Sequence, residues 1–106
     1  KSGQPEAYGL LTRSRDLTPD AWGPYYYLGR INLDEGKVKE ALAFLERAAK
    51  LKPNESAIQY QLGRALQKAG RRAEANAAFT RMKRLKSHEL QNEIESLSPL
   101  GTHRDR

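Results

Sequence analysis

The sequence predicts an all-α chain, a right-handed solenoid of antiparallel helix pairs made of half a repeat, two full repeats and a C-terminal capping helix. Three observations carry this expectation. The chain matches itself at a shift of 34 residues. Glycines recur in register, some inside helices and some at turns. Apolar residues fall three and four apart, the spacing of a helix, with no strand-like alternation.

The shift lays Leu28 on Leu62, Gly29 on Gly63, Gly36 on Gly70, Glu40 on Glu74, Ala41 on Ala75, Leu45 on Phe79 and Leu51 on Leu85. A second shift brings Glu6 under Glu40, Ala7 under Ala41, Leu11 under Leu45, Leu17 under Leu51 and Pro19 under Pro53. A fixed period of this size marks units that stack only on their neighbours.

Each element follows in turn. A helix over about 5–16, with Ala7, Leu10, Leu11 and Leu17 as its apolar side, is the second helix of a partial repeat over 4–20. Asp20 is the expected N-cap of the next helix, and Pro24 fits the first turn, where N–H groups lack partners anyway. That helix runs to about Glu35 and stops at Gly36. Another starts near Lys37 with Val38, Ala41, Leu42, Leu45, Ala48 and Ala49 on one stripe, and Pro53 and Asn54 end it, completing a repeat over 21–54. Helices over 55–69 and 71–86 form the repeat over 55–88. Leu90, Ile94 and Leu97 then recur at helical spacing, with Gln91, Glu93 and Glu95 elsewhere, as in a polar-faced helix over 88–97 that caps the array. Residues 1–97 thus read as one domain, and Pro99, Gly101 and the charges of 98–106 as a flexible tail.

Gly29 and Gly63 sit mid-helix, where glycine costs roughly 1 kcal/mol relative to alanine. Opposite Ala41 and Ala75 they would let two helices approach closely, which offsets that cost. Gly36 and Gly70 supply the backbone freedom that a short helix–helix turn needs.

Together these positions resemble the tetratricopeptide repeat family. The first copy reads Tyr25-x-x-Leu28-Gly29-x-x-Asn32, then Gly36, Ala41, Leu45, Ala48 and Pro53; the second reads Gln59-x-x-Leu62-Gly63-x-x-Leu66, then Gly70, Ala75, Phe79, Met82 and Ser87. Tyr25 and Gln59 stand where the family favours Trp, Asn32 where it favours Tyr, and Ser87 where it favours Pro. The resemblance covers about 4–87 and implies a scaffold that binds a partner protein or peptide, its groove lined by the first helices of successive repeats.

Composition bounds the alternatives. The 106 residues are 38% hydrophobic and 30% charged, enough for a single modest core. No apolar run approaches the roughly 20 residues of a membrane span. With no cysteine and no pair of histidines at helical spacing, neither a disulfide nor a metal site has a ligand set, and no cofactor is expected. His88 and His103 are the only histidines; Ser87 and His88 are adjacent, which is not a nucleophile–base geometry. Glu93 and Glu95 point to different helix faces. No catalytic residue is expected, and the chain reads as a non-enzyme.

The net charge of +6 is local: residues 64–86 hold eight basic side chains against Glu74 alone, +7, which leaves −1 for the remainder. Nucleic acid or another anionic surface is therefore the second functional reading. Against it, only Phe79 is interleaved there for stacking, and Arg81 to Lys86 suit the negative end of a helix.

Within the groove that the resemblance implies, the shift carries Tyr26 onto Tyr60 and Arg30 onto Arg64, an aromatic–cation pair spaced i, i+4 in both full repeats. Tyr27, Asp34, Gln61 and Lys68 lie alongside, while Tyr25 fills a core place. The pattern departs from the carboxylate clamp of chaperone-binding members, which has Lys where Tyr26 stands and Asn where Arg30 stands. A Tyr–Arg ladder suits an acidic partner segment with some apolar side chains. Finally, Leu10 and Leu11 have no covering first helix, and two and a half repeats fall short of the usual three or so. Self-association through the N-terminal helix, or membership of a longer array, is expected.

Overall fold

The computed structural model describes residues 4–17 and 20–97, and these form five helices and no strand. They are α1 (Gln4–Leu17), α2 (Trp22–Asp34), α3 (Val38–Leu51), α4 (Ser56–Lys68) and α5 (Arg72–Leu97). α2 pairs with α3 and α4 with α5, while α1 packs on α2 and α3 on α4, and α2 also touches α4. This is the succession of antiparallel pairs that the repeat predicts. The segment 98–106, expected to be a tail, and His103 within it lie outside the described residues.

The two turns are built alike. After α2, the Lys37 N–H donates to the Asn32 carbonyl at 2.8 Å and the Gly36 N–H to Leu33 at 3.0 Å; after α4, Arg71 donates to Leu66 at 2.9 Å and Gly70 to Gln67 at 3.1 Å. These nested bonds require a left-handed residue at the turn, and Gly36 and Gly70 both have φ of +82°.

The core is one cluster running across the helix layers. Leu28, Leu45 and Ile58 are fully buried, with Leu33, Ala41, Leu42, Ala48, Ala65, Leu66, Ala75 and Ala78 around them. Each large aliphatic side chain buried in this way contributes about 1.5–3 kcal/mol. Of the two α1 leucines expected to lack a cover, Leu10 is exposed while Leu11 is half-buried, and Leu17 is exposed as well.

Three features differ from expectation. Asp20 does not cap α2: Ala21, with extended backbone, holds the N-cap position and no side chain caps the helix. The helix starts at Trp22, one residue later than an Asp20 cap requires, and the alanine before it has no side-chain acceptor; Pro24, which has no N–H, leaves one donor fewer to satisfy in that first turn. Second, the close partners of Gly29 and Gly63 are Leu45 and Phe79, with the Ala41 carbonyl oxygen farther off. Third, no separate helix forms over 88–97. α5 continues through Ser87 to Leu97, because a serine in place of proline leaves nothing to break it.

Candidate binding groove

α2 and α4 are the first helices of the two full repeats, and each presents its version of the Tyr–Arg pair. On α2 the pair is a compact stack. The Arg30 guanidinium carbon lies 5.7 Å from the Tyr26 ring centre and 5.9 Å from that of Tyr27. The two rings meet edge to face at 4.9 Å, and Trp22 meets Tyr26 in the same manner at 5.8 Å. Such contacts hold the guanidinium by the ring faces. No ion pair joins Arg30 to Asp34 among the described residues, and both are exposed.

On α4 the arrangement is different. Arg64 is half-buried and donates from Nη1 to Gln61 Oε1 at 3.0 Å, and Tyr60 leans toward Phe79 with ring centres 6.2 Å apart. Lys68 is exposed one turn further on.

The two tyrosines are thus not equivalent. Tyr26 is only 8% exposed and belongs to the core cluster, whereas Tyr60 is 45% exposed. α4 follows α2 in the layer of first helices and touches it, while among the described residues no further helix follows α4. Gln61 is buried as well, so the accessible members of the predicted set are Tyr27, Arg30, Asp34, Tyr60, Arg64 and Lys68.

One further pair went unread in the sequence although the repeat carried the signal. Arg47 on α3 lies over the Tyr25 ring at 5.6 Å, and the 34-residue shift moves Arg47 onto Arg81 and Tyr25 onto Gln59. There Arg81 Nη1 donates to Gln59 Oε1 at 3.4 Å, so the position pair persists while its chemistry changes from ring stacking to hydrogen bonding.

The basic residues of 64–86 do not gather into a stripe. By helical spacing Arg81 and Arg84 fall on one side of α5 and Lys83 and Lys86 on the other. Arg71 is committed to Glu74, with Nε to Oε1 at 2.6 Å and Nη2 to Oε2 at 3.0 Å. That hydrogen-bonded pairing holds the Glu74 carboxyl below the usual glutamate range and the Arg71 guanidinium above its own. His88 faces Asn92 across 3.5 Å, and no group of three or more metal-ligating side chains gathers among the described residues.

The tetratricopeptide repeat family model matches residues 32–86, more than half of the sequence, and the chain belongs to that family. Among solved structures, "Crystal structure of MamA" superposes with a TM-score of 0.73 at 24% identity, covering 80% of this chain and 50% of that one. A second structure, MamA AMB-1, gives a TM-score of 0.71 at 24% identity, covering 79% and 48%. The chain therefore spans about half the length of either structure, and at that identity the likeness concerns the fold. No curated protein matches the sequence. The helical-repeat fold is one typically used as a protein–protein interaction scaffold, and no helix among the described residues is long and apolar enough to cross a membrane.

Proposed function

We propose that the chain is a non-catalytic scaffold that holds a partner's peptide segment against α2 and α4, and that the segment carries carboxylates together with apolar side chains. The observation behind this reading is the state of Arg30. Its guanidinium is exposed, is held over the rings of Tyr26 and Tyr27, and makes no ion pair among the described residues. A planar donor fixed in this way loses little freedom on taking a carboxylate. Arg64, steadied by Gln61, offers a second fork on α4. Tyr27 and Tyr60 supply exposed rings for apolar side chains, with Asp34 and Lys68 at the margin, while Tyr26 acts from beneath as the support of Arg30. The exposed outer side of α1, with Leu10 and Leu17, is where a neighbouring repeat would stack if the array is longer.

A displayed random-peptide library selected on the immobilised chain tests the reading. The expected result is enrichment of acidic peptides with apolar neighbours, and loss of those peptides with the Arg30→Ala/Arg64→Ala double variant at unchanged helicity. Equal capture by that variant would overturn the assignment. If oligonucleotides bind instead, with affinity falling steeply as salt rises, the basic region over 64–86 is the working surface.

A further inference from the structure

α5 outruns the helix it packs against. Ser56, the first residue of α4, donates from Oγ to Glu89 Oε2 at 3.2 Å, and residues 90–97 extend beyond that point as helix. This extension is not polar all round: Leu90, Ile94 and Leu97 are 58%, 54% and 76% exposed. Their spacing of four and three residues puts them on one strip, the spacing of a two-helix seam. Toward the N-terminal side the strip continues through Lys86, Lys83 and Met82, and with Glu93 these residues border a surface depression of about 410 Å³. Neither Lys86 nor Glu93 makes an ion pair among the described residues.

We propose that a second copy of this chain docks here, its α5 lying antiparallel along residues 82–97. The charge order of the strip selects both the occupant and the direction. Along the strip the lysines at 83 and 86 come first and the acids Glu89 and Glu93 follow, so the strip is complementary to itself when reversed. With the two-fold axis between positions 89 and 90, Lys86 of each copy meets Glu93 of the other and Met82 meets Leu97. Symmetry makes each contact twice. A parallel pair would instead set Lys86 against Lys86 and Glu93 against Glu93. The seam uses none of the groove residues on α2 and α4, so its failure would leave the proposed scaffold function standing.

Charge reversal tests both the interface and its direction. Sedimentation equilibrium of the chain is expected to show a monomer–dimer equilibrium. Lys86→Glu alone or Glu93→Lys alone should weaken dimerisation about tenfold or more, since each sets like charges together twice per interface. An equimolar mixture of the two single variants should recover a heterodimer, because one copy then carries only acids at 86 and 93 and the other only lysines. The Lys86→Glu/Glu93→Lys double variant should dimerise as the parent does. Circular dichroism checks that every variant keeps α5. A parent chain that stays monomeric at high concentration overturns the proposal and leaves the strip to another occupant. A dimer indifferent to both single charge reversals overturns it in favour of another face, such as α1.

Discussion

Phe79 lies over Gly63 so closely that a Cβ on that glycine would fall 2.6 Å from Cε1 of the ring. The same relationship recurs one repeat earlier, where a Cβ on Gly29 would sit 2.6 Å from Cγ of Leu45. Gly63→Leu should therefore force α4 and α5 apart, at a cost of about 2 kcal/mol or more. Gly9 on α1 is the control, with nothing within 4 Å of its would-be Cβ. Gly9→Ala should gain up to about 1 kcal/mol of helix propensity. Thermal denaturation of both variants checks the pair, and an unchanged melting temperature in Gly63→Leu contradicts the packing account.

Gly70 requires a backbone conformation and has no need of space. Its φ is +82° and a Cβ there would meet nothing within 4 Å. Gly70→Ala should cost about 1–2 kcal/mol through left-handed strain alone. Gly70→Asn should cost clearly less, because asparagine tolerates that region. Urea midpoints order the three proteins, and equal losses for Ala and Asn would mean that strain is not the cause.

The helix pairs were legible because the period repeats the same requirements at fixed places: apolar stripes for the layers, Gly36 and Gly70 for the turns. Boundaries were less legible where the deciding group is a missing one. Asp20 looks like a cap, but the helix begins one residue later, and Ala21, which takes the cap position, has no side-chain acceptor. The helix over 88–97 was readable as helix, but its junction depended on Ser87 failing to break α5. In the candidate groove, sequence alignment equated Tyr26 with Tyr60, because a repeat encodes position within the unit and is silent on which neighbour covers it. Trp22, Tyr27 and Arg30 pack on Tyr26, which is buried in the core cluster, while Tyr60 keeps an open side.

Acid stability offers a local test at the second turn. The Arg71 hydrogen bond depresses the Glu74 pKa, so the ionised pair stabilises the fold at pH values above the unfolded glutamate range. That contribution is lost as pH falls through the lower folded value. Glu74→Gln should be less stable than the parent at neutral pH by a small, salt-sensitive margin, since the pair is exposed. The two proteins should converge in acid. Melting temperatures across pH 2–7 check this, and a margin that persists at the acid end would assign Glu74 a role other than ion pairing.

The last expectation separates support from contact in the Tyr–Arg pairs. Tyr26 is core, edge-on to Trp22 and Tyr27 and beneath Arg30, so Tyr26→Ala opens a cavity and should cost about 2–4 kcal/mol. Tyr26→Phe keeps the ring and should be close to neutral. Tyr60 touches Phe79 but keeps nearly half its surface open, so Tyr60→Ala should cost about 1 kcal/mol or less. In peptide selection the order should reverse. Tyr60→Ala should deplete the enriched acidic–apolar sequences while the protein stays folded, and Tyr26→Phe should leave them intact. Matching stability losses for Tyr26→Ala and Tyr60→Ala would mean that Tyr60 is covered in solution. Undiminished peptide capture by a folded Tyr60→Ala variant would remove that ring from the binding surface.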